Sequence, residues 1–365
     1  MKSARSRLYP SRPDYWLLAV TFALVVVGLI VLYSAAMAQN PGNPSRLVLR
    51  QATWAAVGIA VMAVLARVDY HQWTLYSLPL LFFTCVLLLL VLIFGEVVFG
   101  SRRWVVNGSV QPSELMKLAL TIYVAYWLSS KGDEMKKATH GLIPFTLMVG
   151  FVTAVIMAQP DFSTAMLIAG VALLLFVIAG VELWQVGLLG LVVAGFAALL
   201  IVTAHYRVDR VNDFQAAMRD PLAAGYHIRQ TVIALGSGGL TGRGLGNGVL
   251  KFGHLPAANT DSIFAVIGEE LGFVGCVTVV ALFALFAWRG IRIATQAEDA
   301  FGSFLAAGLV LLIVVQAALN IAVVTATVPY SGLPLPFISA GGSSLVMCLA
   351  SIGIIFNISG HRVEA

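Results

Sequence analysis

The chain has 365 residues, of which 59% are hydrophobic and only 11% are charged, and its net charge is +5 at neutral pH. A soluble globular domain carries roughly 25% charged residues, so the composition excludes a soluble enzyme, a disordered chain, a disulfide scaffold and a coiled coil. Because a membrane-spanning helix uses about 20 apolar residues, the hydrophobic fraction is enough for about ten spans. The positive charge therefore bears on membrane topology, and no nucleic-acid partner is expected.

Ten apolar runs follow one another along the chain, at 15–37, 47–66, 75–95, 113–129, 141–158, 163–180, 183–203, 262–288, 301–325 and 338–359. They predict an all-α polytopic membrane protein, a single domain over 1–365 with ten transmembrane helices. Cytoplasmic loops are enriched in Lys and Arg. Most of these residues outside the long loop fall on one predicted side, among them Lys2, Arg5, Arg7, Arg12, Lys131, Lys136, Lys137, Arg289 and Arg292. This bias predicts that both termini are cytoplasmic, with 1–14 as an N-terminal tail.

The long polar segment 204–260 separates the seventh and eighth runs, and the same topology places it outside the membrane. A structureless loop longer than about 15 residues is usually functional or disordered. This segment mixes basic and aromatic residues with apolar stretches such as 231–235. We therefore predict short helices that lie on the outer membrane surface.

Two opposite charges lie inside the fourth run. An ionisable residue in a span costs at least about 2.5 to 3.5 kcal/mol, which makes it a functional candidate. Glu114 and Lys117 are three residues apart, so they share one helix face and reduce the cost of burying each other. Two interpretations are open: an ion pair that locks the helix to a neighbour, or a pair that lines a polar cavity.

Four further acidic residues stand at or near the predicted outer ends of spans. Asp161 follows a proline just ahead of an apolar run, a pattern typical of a helix N-cap. Asp261 lies where the long loop enters the eighth span, at the water boundary. Glu269 and Glu270 follow about 12 Å deeper along the helix axis. Because they are adjacent, their directions differ by about 100°, so one could line a cavity while the other meets a different helix.

The segment 329–344 joins the last two spans and contains three prolines and three glycines. Broken backbone at membrane depth is tolerated only where it is buried in protein or lines a cavity. Asn320 in the ninth span and the Ser343-Ser344 pair would give such a cavity hydrogen-bonding groups. A re-entrant loop without a ligand is the alternative.

Taken in order, these motifs resemble the SEDS family (shape, elongation, division and sporulation), whose best-known members are FtsW and RodA. The resemblance covers essentially the whole chain. The matching stretches are Arg103-Trp104, Gln111-Pro112-Ser113-Glu114 with Lys117, Gln159-Pro160-Asp161, Gly225-Tyr226, Gly238-Gly239-Leu240, Gly242-Arg243-Gly244-Leu245-Gly246, Leu255-Pro256 with Thr260-Asp261, Glu269-Glu270-Leu271-Gly272, Gly332-Leu333-Pro334-Leu335-Pro336-Phe337 and Gly341-Gly342-Ser343-Ser344.

The resemblance implies a peptidoglycan glycosyltransferase in the cytoplasmic membrane of a bacterium. Such an enzyme polymerises lipid II, a disaccharide-pentapeptide on undecaprenyl pyrophosphate, at the outer face of that membrane. The implied partners are a class B penicillin-binding protein and other membrane proteins of the divisome or elongasome. The family's catalytic aspartate falls on Asp261.

Chemistry agrees with that role, since glycan extension needs a base for the acceptor hydroxyl and stabilisation of the departing pyrophosphate. The candidate cations for pyrophosphate are Arg102, Arg103, Arg243 and Lys251, with contact to lipid headgroups as the alternative for each arginine. A divalent cation, Mg or Mn, held by Asp261 and another carboxylate could serve instead, although no metal-ligand spacing points to it.

The chain departs from the family pattern at Ala257-Ala258-Asn259, where Glu-Ala-His is usual, at Ser262, where an aromatic is usual, and at Ala340, where Tyr is usual. The motifs around Arg243 and Glu269 look closer to division-type than to elongation-type members, so septal synthesis is expected and an elongation polymerase is the alternative. A flippase or transporter of a lipid-linked precursor is the alternative from another class, because buried carboxylates and broken helices also occur in transporters.

Overall fold

The computed structural model describes residues 13–39, 43–98, 101–104, 110–202, 205–220 and 224–361, and within these ranges the chain is mainly α-helical. Helices α1 to α7 are Tyr15–Gln39, Ser45–Leu65, Gln72–Phe94, Pro112–Lys131, Leu142–Ala158, Phe162–Ile178 and Leu183–Val202. Helices α8 to α12 are His205–Arg219, Tyr226–Ser237, Ile263–Thr295, Ala300–Val324 and Gly342–Ser359. A short 3-10 helix, Gly132–Lys136, follows α4.

Two short strands interrupt the helical architecture between α3 and α4. Strand β1 (Glu96–Val98) pairs antiparallel with β2 (Ser101–Trp104). This hairpin was not among the predicted elements, because three or four residues give too short a pattern to separate from a loop.

A helix occupies each of the ten predicted apolar runs. Within the described residues, six helices are long and apolar enough to cross a membrane: α1, α2, α3, α10, α11 and α12. Three shorter apolar helices correspond to α5, α6 and the first part of α7. The chain is thus a multi-pass membrane protein. The long polar segment contains α8 and α9, in agreement with the short helices expected there.

Two large apolar cores hold the bundle together. One is built mainly from α1, α10, α11 and α12, with Leu24, Phe286, Leu305 and Leu349 fully buried or nearly so. The other is built mainly from α3, α4, α5 and α6, where the rings of Phe145 and Phe176 stack at 4.4 Å. Helix α4 packs against both α3 and α11, so it connects the two cores.

Polar contacts tie helix ends together on the side of the bundle away from Asp261. Arg289, near the end of α10, forms an ion pair of 2.5 Å with Asp14, just ahead of α1. Tyr70, in the turn between α2 and α3, donates its hydroxyl to Asp299 at 2.8 Å and its backbone N–H to Asn357 at 2.9 Å. The starts of α1 and α11 therefore lie on the same side of the bundle as the ends of α2, α10 and α12. Helices α1 and α11 thus run in the opposite direction to α2, α10 and α12.

Helix α10 is broken at Gly272, and the segment that follows α9 fills the break. Gly272 has φ +66° and ψ −162°, so the intrahelical bonds across it are lost. The N–H groups of Arg243 and Gly244 instead reach the carbonyls of Glu269 and Glu270, both at 3.0 Å. In return, the N–H groups of Phe273 and Val274 reach the carbonyls of residues 239 and 240.

The glycines of the segment 238–248, called here the glycine-rich segment, make this insertion possible. A Cβ on Gly272 would lie 2.3 Å from the amide nitrogen of Gly242, and one on Gly242 would lie 2.1 Å from the carbonyl oxygen of Glu270. Only glycine combines positive φ with so close an approach of two backbones. Two carbonyls and two N–H groups of α10 at the break therefore have partners in the inserted segment, as buried backbone requires.

Candidate active site

Asp261 lies two residues before α10 begins and is partly exposed. Its side chain accepts a hydrogen bond from the hydroxyl of Tyr330, at 2.7 Å from Oδ2. Its backbone carbonyl accepts a second bond, from the side-chain amide of Asn320 on α11, at 2.8 Å. The carboxylate is therefore held at the junction of loop and helix by residues from two distant parts of the sequence.

Tyr330 is itself held by two residues of the long polar segment. The guanidinium of Arg210, on α8, lies 4.9 Å from the ring centroid and donates to the backbone carbonyl of Tyr330 at 3.3 Å. The imidazole of His227, on α9, meets the same ring edge-on with centroids 4.1 Å apart. Burial, together with the charge of Arg210, lowers the pKa of His227 to about 4, so this imidazole is neutral at neutral pH.

These three residues were not among the predicted site residues. Tyr330 lies in the segment 329–344 and Arg210 in the long polar segment, but neither belongs to a sequence pattern that predicts a contact with Asp261. His227 follows the Gly225-Tyr226 motif by one position, and a single histidine in a polar helix carries no spacing signal. Only the folded chain brings α8, α9 and the 329–344 segment to one place.

The backbone around Asp261 is fixed by the 329–344 segment. Asn320 donates to the carbonyl of Leu333 at 2.7 Å in addition to that of Asp261. Ser339 donates its hydroxyl to the carbonyl of Thr260 at 2.6 Å, and the N–H of Ala340 reaches the carbonyl of Asn259 at 2.8 Å. Positions 259 and 340, where the chain departs from the family pattern, therefore meet through backbone atoms.

Glu114 and Lys117 form a buried ion pair of 2.8 Å on α4. The ammonium of Lys117 also donates to Oε1 of Gln316 on α11 at 2.8 Å, and the amide of Gln316 donates to the carbonyl of Pro334 at 2.9 Å. The two voids beside Lys117 are only about 10 Å³ each, which is the size of one water molecule. Of the two interpretations considered, this geometry corresponds to the ion pair that locks α4 to a neighbouring helix.

Lys251 was predicted as an outer-side cation that could hold pyrophosphate, but the structure buries its side chain. Its ammonium is buried, forming an ion pair of 2.6 Å with Glu270 and donating to Ser34 on α1 at 2.7 Å. An ammonium out of water needs a carboxylate and further acceptors close by. The glycine-rich segment supplies one more, the carbonyl of Gly246 at 2.8 Å.

Glu269 and Glu270 are both buried, and each binds the segment that fills the break in α10. Oε1 of Glu269 accepts from the N–H groups of Val249 and Leu250 at 2.7 and 3.2 Å. Oε2 of Glu270 accepts from the N–H of Gly246 at 3.0 Å. Both carboxylates thus have backbone N–H partners, and Glu270 also has the ammonium of Lys251. Arg243 stays exposed, with its guanidinium 4.0 Å from Glu269.

The remaining candidates lie near the start of α4, α6 and α12. Asp161 caps α6 by accepting the N–H of Thr164 at 3.2 Å, as its position after a proline predicted. It also accepts from the side chain of Gln111 at 3.0 Å, and the N–H of Gln111 reaches the hydroxyl of Ser343 at 3.3 Å.

Ser344, next to Ser343, is partly buried in the first turn of α12. Arg102 and Arg103 lie on β2, but their side chains fall outside the part of the chain that the structure describes.

A metal site is not evident in the described ranges, where no three His, Cys, Asp or Glu side chains come close enough to hold an ion together. The group that bonds to Oδ2 of Asp261 is the phenol hydroxyl of Tyr330 and not a second carboxylate. A divalent cation at this aspartate would therefore need oxygen ligands from elsewhere.

A family model described as cell cycle protein, covering FtsW, RodA and SpoVE, matches residues 15–364. Stage V sporulation protein E of Bacillus subtilis (strain 168) is 39% identical over 357 residues, which is 96% of this chain and 97% of that protein. The probable peptidoglycan glycosyltransferase FtsW of Geobacter sp. (strain M18) is 39% identical over 353 residues, 95% and 96% of the two chains.

Solved structures show the same fold. A chain of a peptidoglycan synthase complex, studied for its coordination of polymerization and crosslinking, is 26% identical with a TM-score of 0.78, over 95% of this chain and 97% of that one. The rod shape determining protein RodA of Thermus thermophilus is 25% identical with a TM-score of 0.72, over 97% and 98%. The protein belongs to the FtsW/RodA/SpoVE family.

Proposed function

We propose that this protein is a peptidoglycan glycosyltransferase that polymerises lipid II at the outer face of the bacterial cytoplasmic membrane. In this proposal α1 to α7 and α10 to α12 cross the membrane, both termini are cytoplasmic, and the segment 204–260 lies outside. Support comes from relatives at 39% identity, one of them named a probable peptidoglycan glycosyltransferase. The alternating directions of the helices that meet near Asp14 and Tyr70 agree with this topology.

Asp261 is the proposed general base, and its placement is the observation that carries the proposal. Asp261 is partly exposed just before the N-terminal end of α10, and Asn320 and Tyr330 fix its position. It can therefore contact a substrate whose lipid tail stays in the membrane. As the acceptor hydroxyl attacks the anomeric carbon, a carbon–oxygen bond forms and the bond to pyrophosphate breaks. The hydroxyl proton passes to Asp261, and undecaprenyl pyrophosphate leaves.

The departing pyrophosphate needs cations at the same outer surface. Arg243 keeps its exposed guanidinium and remains a candidate, as do Arg102 and Arg103 on β2. Lys251 is withdrawn from this set because it is buried against Glu270. Arg210 joins the set, since its guanidinium contacts Tyr330, whose hydroxyl bonds to Asp261, and it is only partly buried. Arginine suits this task because its guanidinium makes bidentate contacts with phosphate oxygens.

Septal synthesis during division is the proposed role, with a class B penicillin-binding protein as the crosslinking partner. Two of the proteins similar to this chain over almost their whole length are FtsW proteins of Geobacter. The synthase complex with the same fold supports a partner that crosslinks. Elongation is the alternative pathway, because RodA shares the fold.

A flippase for lipid-linked precursors is the second candidate function. The buried pair of Glu114 and Lys117 and the break in α10 at Gly272 favour it, because intramembrane charges and broken helices are also features of transporters. The break is filled by backbone from the glycine-rich segment, however, and each void at Lys117 has a volume of only about 10 Å³, too small for a substrate path. We therefore place the polymerase first.

The test uses the full chain in lipid vesicles with labelled lipid II, with and without the crosslinking partner. Glycan length is read on a gel, and accessible lipid II in each leaflet is measured in parallel. The polymerase proposal predicts long glycan when lipid II is supplied on the face that carries 204–260. Movement of lipid II between leaflets without any polymer would favour the flippase instead.

A further inference from the structure

Tyr330 stands between Asp261 and two helices of the long polar segment. Its hydroxyl contacts Oδ2 of Asp261 at 2.7 Å, while its ring and backbone contact Arg210 and His227. We propose that Tyr330 is a positioning residue for glycan extension, and that Arg210 and His227 hold its phenol against the carboxylate of Asp261. This inference rests on the proposed function of Asp261.

The position of the phenol is set from the side of the long loop. Arg210 binds the residue twice, through the π face of the ring and through its backbone carbonyl, and a cation over an aromatic face is attracted by the ring. His227 meets the ring at 4.1 Å. Helices α8 and α9 share a small core of Ala217, Ala224 and Ile228, which Ala326 also contacts. The chain just ahead of Tyr330 is therefore packed on the same two helices.

The hydrogen bond from Tyr330 favours the form of Asp261 that the reaction needs. A carboxylate must be ionised to take a proton, and a donor on its oxygen stabilises the charged form more than the neutral one. The two titratable or charged groups that contact Tyr330 from α8 and α9, Arg210 and His227, do not oppose this effect. Arg210 is cationic and favours an anion nearby, while His227 carries no charge at neutral pH because its pKa is lowered to about 4. Loss of the phenol hydroxyl should thus impair the base at low pH first.

The test is the pH dependence of polymerisation by Tyr330→Phe, measured with the full chain in vesicles with lipid II and the crosslinking partner. Tyr226→Phe is the matched control, because Tyr226 is a tyrosine of α9 whose hydroxyl bonds to the carbonyl of His254. A hydrogen bond to a charged group accounts for a shift of about one pH unit or more. We expect the acidic limb of kcat for Tyr330→Phe to move upward by that amount, with KM for lipid II changed less than about twofold, as for a group that acts only through the base.

Tyr226→Phe should follow the profile of the unaltered protein. A profile of Tyr330→Phe that coincides with the control would overturn the inference, whereas activity in Asp261→Asn would overturn the proposed role of Asp261 instead. If Tyr330→Phe fails to fold, 3-fluorotyrosine at position 330 keeps the shape and makes the phenol a stronger donor. The acidic limb should then move to lower pH, and no movement would contradict the proposal.

Discussion

The side-chain amide of Asn320 donates to two backbone carbonyls, that of Asp261 at 2.8 Å and that of Leu333 at 2.7 Å. One residue of α11 thereby joins the start of α10 to the segment before α12. The backbone position of Asp261 and that of Leu333 therefore both depend on the amide of Asn320.

Replacement of Asn320 by Leu should lower activity more than a typical buried substitution. It leaves two carbonyls without a donor, at a cost of about 1–3 kcal/mol for a buried group, and releases the backbone of Asp261. We expect a lower unfolding midpoint and a kcat reduced at least tenfold. The comparison variant is Ser351→Ala, which removes a buried hydroxyl that bonds only within its own helix. Equal kcat in the two variants would contradict the positioning role of Asn320.

Lys251→Met should destabilise the protein strongly, because it leaves the buried carboxylate of Glu270 without its ammonium. Breaking such a pair costs about 3–5 kcal/mol. The double variant Lys251→Met with Glu270→Gln removes both charges and should recover part of the loss. Thermal unfolding in detergent measures both effects, with Lys137→Met as an exposed-lysine control. A direct role of Lys251 at pyrophosphate predicts the opposite pattern, with stability kept and activity lost.

Gly272→Ala should prevent the glycine-rich segment from entering the break in α10. A Cβ at 2.3 Å from the amide nitrogen of Gly242 cannot be accommodated without moving the backbone, and φ +66° adds strain. We expect little folded protein in detergent, judged by size-exclusion chromatography. Gly150→Ala, on α5 in open space, is the control and should be neutral or stabilising by up to about 1 kcal/mol. Normal folding of Gly272→Ala would show that the break is not a requirement.

His227 should remain neutral well below its ordinary pKa of 6.5. Because the pKa is lower in the folded chain, the stability that His227 contributes is complete above about pH 6.5. It is lost as the pH falls from there towards about 4. NMR of labelled histidine, assigned with His227→Gln, should show no titration of this resonance between pH 8 and about pH 5.5. A midpoint near 6.5 would mean that the imidazole is not buried against Tyr330.

The helices were predictable because their signal is local. Apolar runs identified α1 to α7 and α10 to α12 with bounds that differ by a few residues, apart from the end of α10, which continues to Thr295 beyond the predicted 288. That extension carries Arg289 and Arg292. Their charges end the apolar run in the sequence, but they do not end the helix. Asp161 was predicted as a cap because proline and aspartate ahead of an apolar run are a local pattern.

The site was only partly predictable, because its contacts join residues far apart in the chain. Asp261 was identified from a motif. Tyr330, which contacts it, is 69 residues away in the sequence, and Arg210 is 120 residues away from Tyr330. The burial of Lys251 was not predicted, since a lysine in a polar loop normally faces water. The reason for its burial, the insertion of the glycine-rich segment beside Glu270, depends on backbone conformations at Gly242 and Gly272 that charge counting does not reveal.

The most direct test of the account is the initial rate of lipid II polymerisation by Asp261→Asn in vesicles with the crosslinking partner. Asn keeps the size of the side chain and an oxygen that can accept from Tyr330, but it lacks the basicity of a carboxylate. We predict no glycan above background at any pH, with the unfolding midpoint and partner binding preserved, while Asp220→Asn at the end of α8 polymerises normally. Polymerisation by Asp261→Asn at a near-normal rate would contradict the assignment of Asp261 as the base.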